Sequence, residues 1–86
     1  MSGGTSVFGV RVLVRLRPSV YDPQGETIRR ALDAVPGLEA EAVRQGKMFE
    51  LEVRAADAAE ARARAETIAR RALANPVLED FTVEGP

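Results

Sequence analysis

The sequence predicts an α+β fold, in which two helices cover one face of a four-stranded antiparallel sheet. Apolar and charged residues alternate in stretches near both ends and in the middle of the chain, as in half-buried strands. Two stretches with helical spacing of apolar residues separate these strands, and an aspartate precedes each of them. The resulting order, β-α-β-β-α-β, is the split βαβ pattern. The 86 residues suit one domain. We assign it to residues 6–86, after a disordered extension at residues 1–5.

The first strand is expected to begin near Ser6 and to end before Pro18. Its two faces differ, because strand side chains alternate in direction. One face is apolar and carries Phe8, Val10, Val12, Val14 and Leu16. The other carries Leu13 with Arg11, Arg15 and Arg17, and needs acidic neighbours such as Glu50 and Glu52 of a later strand.

The first helix is predicted to begin after Asp22, which can cap it, with Pro23 in the first helical position. One apolar stripe follows at helical spacing, made of Ile28, Ala31, Leu32 and Val35, and Pro36-Gly37 ends the helix. Gly25 is a poor helix former in the first turn. It indicates either the close approach of another backbone or simple tolerance near a helix end.

A hairpin is predicted over residues 38–54, with a tight turn at residues 43–47. Gly46 suits a turn position with positive φ, because it has no Cβ. The turn is expected to expose Arg44 and Lys47. In the second strand of the hairpin, Phe49, Leu51 and Val53 point to the core, and Glu50, Glu52 and Arg54 point away from it.

The second helix is predicted to start at Asp57 and Glu60, which form a D-x-x-E pattern related to the capping box. Its apolar face is rich in alanine, which allows close packing on the sheet: Ala58, Ala61, Ala65, Ile68, Ala69, Ala72 and Leu73. Ala74-Asn75-Pro76 ends it. The last strand is expected from Val77 to about Glu84. Glu79 lies on its apolar side, which indicates a bulge, a frayed strand end or a partner contact.

The second face of the sheet carries Leu13, Val43 and Met48 among arginines and glutamates. It is either a solvated charged face or a face covered by another subunit. We expect the second arrangement, and so a homodimer or a higher oligomer, because a pattern of this kind suits a mixed polar and apolar interface.

Composition excludes several functions. The formal net charge of −1 gives no basic field for nucleic acid. The sequence has no cysteine and no histidine, so it lacks thiolate nucleophiles, imidazole bases and the usual zinc ligands. We find no glycine-rich phosphate loop and no catalytic constellation. No apolar run approaches membrane length and the start does not resemble a signal peptide, so we expect a soluble, cytoplasmic protein.

Three motifs nevertheless have an unusual combination of residues and spacing: Asp22-Pro23-Gln24-Gly25, Val43-Arg44-Gln45-Gly46-Lys47, and residues 73–80, which are Leu-Ala-Asn-Pro-Val-Leu-Glu-Asp. Together they closely resemble the PurS family, the small subunit of phosphoribosylformylglycinamidine (FGAM) synthase. The resemblance extends from about Val10 to Val83. The Ser-Gly-Gly-Thr extension and Leu78, where isoleucine would be expected, are small departures.

The resemblance implies a ferredoxin-like fold and a noncatalytic subunit of a complex that makes purines. In that complex a large synthetase subunit uses ATP and Mg, a glutaminase subunit releases ammonia from glutamine, and the small subunit joins them. No cofactor is expected in this chain. The candidate docking residues are Asp22, Gln24, Gly25, Arg44, Gly46, Lys47, Asn75, Pro76 and Glu79.

Two other functions share this topology. A regulatory domain that binds an amino acid would need glycine-rich loops, but the glycines of the folded part (Gly9, Gly25, Gly37 and Gly46) suit turns, a helix terminus or a strand. An RNA-binding module would need exposed aromatic residues on the sheet. Phe49 and Phe81 are predicted to lie on the apolar side instead.

Overall fold

A computed structural model describes residues 4–86 of the chain, and residues 1–3 of the predicted extension lie outside the described part. The elements are β1 (Ser6–Leu16), α1 (Pro23–Asp33), β2 (Gly46–Ala55), α2 (Ala58–Ile68), a π-helical turn (Ala69–Leu73) and β3 (Glu79–Glu84). The α+β class, the two helices and the start of β1 at Ser6 are confirmed.

The sheet is antiparallel, and β1 lies between the other two strands in the order β2-β1-β3. Val12 stands opposite Phe49 and Val83 on the apolar face. Arg11 stands between Glu50 and Glu84 on the other face, and its guanidinium lies 3.9 Å from the Glu84 carboxylate. The register thus confirms that the arginines of β1 have acidic cross-strand neighbours.

The prediction of a fourth strand and of a hairpin turn was wrong. Residues 38–45 form no strand, so in the described chain no strand pairs with the outer edge of β2. The cause is a contact remote in sequence: the Gln45 N–H donates to the Asp22 carboxylate over 2.6 Å, which holds residues 43–45 at the start of α1. Gly46 belongs to β2 and does not have positive φ. A Cβ there would lie 2.7 Å from the Val14 carbonyl oxygen, and this explains the glycine.

The core lies between the sheet and α2 with the turn that follows it. Part of the predicted alanine-rich face packs there, while Ala58, Ile68 and Ala72 of that face are exposed. Ala61, Ala65 and Ala69 are fully buried, together with Val12 and Val14 of β1. Small side chains let the helix axis approach the sheet closely. The predicted D-x-x-E cap forms as a variant of the capping box. The Asp57 carboxylate accepts the Glu60 N–H over 2.8 Å, and the Glu60 carboxylate accepts the N–H of Ala56, the residue before the cap, over 2.8 Å.

The prediction that both helices cover the sheet was wrong for the single chain. Only α2 packs on it, while α1 extends away and makes no comparable contact. We call residues 23–45 the arm. It leaves and returns at the same end of the sheet, so its apolar stripe stays uncovered, with Ile28 46% and Val35 44% exposed. The radius of gyration is 17.4 Å, against about 12 Å for a compact chain of this length.

The segment after α2 departs slightly from the prediction. The helix continues as a π-helical turn, in which the Ala74 N–H donates to the Ala69 carbonyl over 2.9 Å. Ala74 is extended, so the helix ends before Asn75-Pro76, as predicted. The last strand begins at Glu79 rather than Val77, because the Asn75 side chain and carbonyl accept the N–H groups of residues 77–79 and form a turn.

Candidate docking site at the end of the sheet

The three motifs singled out in the sequence meet at one end of the sheet. The Arg44 guanidinium donates to the Arg17 carbonyl over 2.9 Å. The Lys47 Nζ lies 3.4 Å from the Glu79 carboxylate, which joins the second motif to the third. A hollow of about 200 Å³ between them is lined by Val14, Leu16, Asp22, Gln24, Gln45, Gly46, Lys47 and Glu79. We call this region the docking end. The sequence predicted Asp22, Gln24, Gly46, Lys47 and Glu79 of this lining as candidate docking residues, but not their contact with one another.

Asp22 fixes the base of the arm. Its Oδ1 accepts the Gly25 N–H over 2.9 Å as a helix cap, while its Oδ2 accepts the Gln45 N–H. The hydrogen bond from Gln45, then that from Gly25, and the nearby charge of Arg44 hold the pKa of Asp22 below its usual value, against an opposing effect of burial. The carboxylate therefore stays charged and joins both ends of the arm.

Gly25 is buried where the arm closes. A Cβ at this position would overlap the Val43 carbonyl oxygen and lie 2.7 Å from the Asp22 carboxylate. Of the two interpretations of this glycine, close approach of another backbone is therefore correct.

Acid should loosen the base of the arm. The pKa of Asp22 is lowered in the folded chain, and that of Glu26 is lowered to about 2, chiefly by hydrogen bonds from Arg29. A lowered pKa stabilises the fold at pH values above the unfolded-state pKa, about 4 for both groups, and this stabilisation is lost as the pH falls through the folded-state value. We expect the melting temperature to fall with pH below about 4.

The measurement is thermal unfolding by circular dichroism between about pH 6 and about pH 2. The Asp22→Asn variant should have a lower melting temperature than the wild type at about pH 6. Its melting temperature should also fall less on acidification, because the group that titrates is gone. Equal acid dependence in the two proteins would show that Asp22 does not contribute.

Glu79 has partners within the chain. Its side chain is only 13% exposed, and it pairs with Lys47. Its Oε1 also accepts the Asn75 N–H over 2.7 Å. These contacts explain a carboxylate on the apolar side of β3. They also place Asn75 against the rest of the docking end, where the Asn75 Oδ1 holds the following turn.

Arg17 is a member of this region that the sequence analysis missed. Its guanidinium donates to the Pro76 carbonyl over 2.7 Å and lies 3.6 Å from the Asp80 carboxylate. The backbone N–H of Arg17 donates to the Leu78 carbonyl, and the backbone carbonyl of Arg17 accepts from the Arg44 guanidinium. In sequence it reads as one more arginine of the charged face. Its position immediately before Pro18, at the end of the strand, was the available signal.

The fold and this end of the sheet define the class: a small α+β protein with one helix packed on an antiparallel sheet and a second helix on a projecting arm. Within residues 4–86 no helix has the length and apolar character that a membrane span requires. The family model for PurS, described as phosphoribosylformylglycinamidine (FGAM) synthase, matches residues 9–86. The chain belongs to the PurS family, and so to the PurS subunits of FGAM synthase in purine biosynthesis.

Comparison with individual relatives supports the assignment to the PurS family. The chain is 36% identical to the PurS subunit of Thermotoga maritima over 90% of this chain and 94% of that protein. It is 42% identical to the PurS subunit of Mycobacterium leprae over 84% of this chain and 87% of that protein. The crystal structure of the Thermotoga maritima subunit superimposes with a TM-score of 0.88 at 33% identity, covering 98% of this chain and 97% of that one.

A solved structure of PurLQS from Thermotoga maritima contains a similar chain. That chain has a TM-score of 0.86 and 34% identity, and the match covers 94% of this chain and 99% of that one. PurS therefore forms part of a complex with PurL and PurQ, and the resemblance drawn from the three motifs is confirmed.

Proposed function

We propose that the chain is a noncatalytic subunit that joins the glutaminase and the ATP-dependent synthetase subunits of FGAM synthase. The observation that supports this most strongly is the meeting of the three motifs at the docking end, where one surface combines parts of all of them. The composition agrees, since glutamine hydrolysis through a thiolate needs cysteine and the chain has none. The proposed reaction of the complex is the conversion of FGAR, glutamine and ATP to FGAM. We propose that the protein is located in the cytoplasm.

Docking would serve ammonia transfer. Ammonia released into water is diluted and protonated, so a synthetase gains from a direct route between the two active sites that excludes water. A small subunit that contacts both enzymes can hold their two active sites in a fixed relative position. The residues proposed for these contacts are the predicted set at the docking end: Asp22, Gln24, Gly25, Arg44, Gly46, Lys47, Asn75, Pro76 and Glu79.

The proposed oligomer is a homodimer joined through the arm. The apolar stripe of α1 is uncovered, and apolar side chains on the helix-covered face of the sheet, including Phe49 and Phe81, are only partly buried. The outer edge of β2 also lacks a neighbour in the described chain. A second copy can supply an arm to these surfaces and receive one in return, which is a symmetric exchange. The dimer surface proposed from sequence was the open sheet face, but Val43 belongs to the arm and not to that face.

Reconstitution tests the proposed function. FGAM synthesis would be measured with the synthetase and glutaminase subunits, with and without this chain, using either glutamine or ammonia as the nitrogen source. We expect omission of the chain to abolish the glutamine-dependent reaction and to preserve the ammonia-dependent one, because only the first needs transfer between active sites. Equal loss of both reactions would contradict a joining role, as would glutamine hydrolysis by the pure chain.

A further inference from the structure

A hollow of about 510 Å³ lies at the docking end and is distinct from the smaller one described above. It is lined by Arg15, Leu16, Pro18, Arg44, Gln45 and Asp80. Leu16 and Pro18 are apolar, and Arg15 and Arg44 are exposed cations. The lining thus combines an apolar surface with two guanidinium groups, a composition typical of protein interfaces.

The charges in this hollow are unbalanced. Asp80 is its acidic member, and the Asp80 carboxylate already lies 3.6 Å from Arg17. Within residues 4–86 no carboxylate lies within 4.0 Å of the Arg15 or Arg44 guanidinium, and Arg44 donates only to the Arg17 carbonyl. Among the lining residues, the two cations therefore face one carboxylate, which is paired with Arg17. Asp22 lies near Arg44 outside the lining, and it already accepts two backbone N–H groups.

Both arginines are supported by the backbone around them. The stem of Arg15 lies across Gly46, since a Cβ there would be 3.3 Å from the Arg15 Cγ. The hydrogen bond to Arg17 holds Arg44. A side chain held by a hydrogen bond, as Arg44 is, loses less entropy when it binds, which favours a specific contact over a mobile rim charge.

We propose that this hollow receives an acidic segment of a partner protein, with a carboxylate side chain between Arg15 and Arg44 and a neighbouring apolar side chain on Leu16 and Pro18. Arginine suits this contact because its planar guanidinium can bind a carboxylate through two hydrogen bonds. The proposal rests on the proposed function, since the partner is one of the two other subunits of the complex. A small anion fits less well, because the nearby Gln45 N–H is already donated to Asp22.

The test is calorimetric titration of the full chain against the synthetase subunit, the glutaminase subunit and their mixture. We expect Arg15→Glu to weaken binding by about tenfold or more, and Arg15→Lys, which keeps the charge, to weaken it by only about threefold. Arg54→Glu is the matched control. Arg54 lies on the same sheet face at the opposite end, opposite Val7, and its guanidinium has no carboxylate of residues 4–86 within 4.0 Å. Melting temperatures would be measured for every variant.

The outcomes separate this proposal from the one it rests on. If the wild-type chain binds the partners and Arg15→Glu binds as tightly as Arg54→Glu, the hollow is not a docking site and the joining role stands. If the wild-type chain binds neither subunit nor the mixture, both proposals fail. Inorganic phosphate, titrated at millimolar concentration into the chain without partners, is the anion probe. Phosphate binding that Arg15→Glu abolishes, together with equal partner binding by Arg15→Glu and Arg54→Glu, would show a small-anion site and overturn the assignment to a protein segment.

Discussion

Replacing Ile28 with aspartate is expected to convert the proposed homodimer into monomers. Ile28 lies on the uncovered stripe of α1 and is 46% exposed in the single chain. Burial of a fully exposed side chain of this size contributes about 1.5–3 kcal/mol, so burial of the exposed half of Ile28 contributes about 0.7–1.5 kcal/mol. A symmetric dimer contains two copies, so their loss costs about 1.5–3 kcal/mol and raises the dissociation constant at least about tenfold. The introduced charge adds an unfavourable desolvation.

Sedimentation velocity at micromolar concentration measures this effect directly, since the monomer has a mass of 9.3 kDa. Thr27→Asp is the matched control, because Thr27 is the adjacent exposed residue of α1 and lies off the apolar stripe. It should remain dimeric. A wild-type protein that sediments only as a monomer would refute the dimer, and a dimeric Ile28→Asp protein would refute the role of the arm.

The second large effect is expected from replacing Arg44 and Lys47 together by alanine. Assembly with the synthetase or the glutaminase subunit should weaken by about 2 kcal/mol, roughly thirtyfold, because a desolvated charged contact would be lost. Stability should change little. The Lys47 side chain is 57% exposed, and its partner Glu79, which is only 13% exposed, keeps the hydrogen bond from the Asn75 N–H when Lys47 is removed. Loss of the pair should therefore cost only about 1 kcal/mol.

Titration against each isolated partner subunit checks this, together with the melting temperature and the sedimentation coefficient of the variant. The control is Arg11→Ala with Arg54→Ala, which removes two cations of the charged sheet face away from the docking end. Arg11 lies in the middle of β1 in a weak pair with Glu84, and Arg54 lies at the far end of β2. Unaltered affinity in the Arg44 and Lys47 variant would remove both residues from the proposed docking surface.

Local signals predicted much of the fold. Aspartate caps place the starts of α1 and α2, and alternation places β1 and β2, because these features depend on residues close in sequence. Residues 38–42 were predicted to form the first strand of a hairpin, and that strand does not form. Alternation indicates only that a segment can be extended. It cannot specify a neighbour, and here the chain is held by Asp22 and Gln45, which are 23 positions apart.

The docking end was predictable in its parts and not in its arrangement. The three motifs could be selected because turns and caps explain only some of their residues. Their meeting depends on the return of the arm to Asp22 and on the contacts of Arg17, which no periodicity reveals. Glu79 illustrates the same limit, since its partner Lys47 lies on another strand.

The shared base of the arm links two equilibria. The Asp22 carboxylate closes the arm and also positions Gln45 beside Arg44. An arm that is covered in the proposed dimer therefore also fixes part of the docking end. In the proposed dimer, the arm, which has few contacts with its own sheet, becomes covered by mass action, so the covered fraction rises with the concentration of the protein. Self-association and assembly of the complex then share a coupling free energy, which acts equally in both directions.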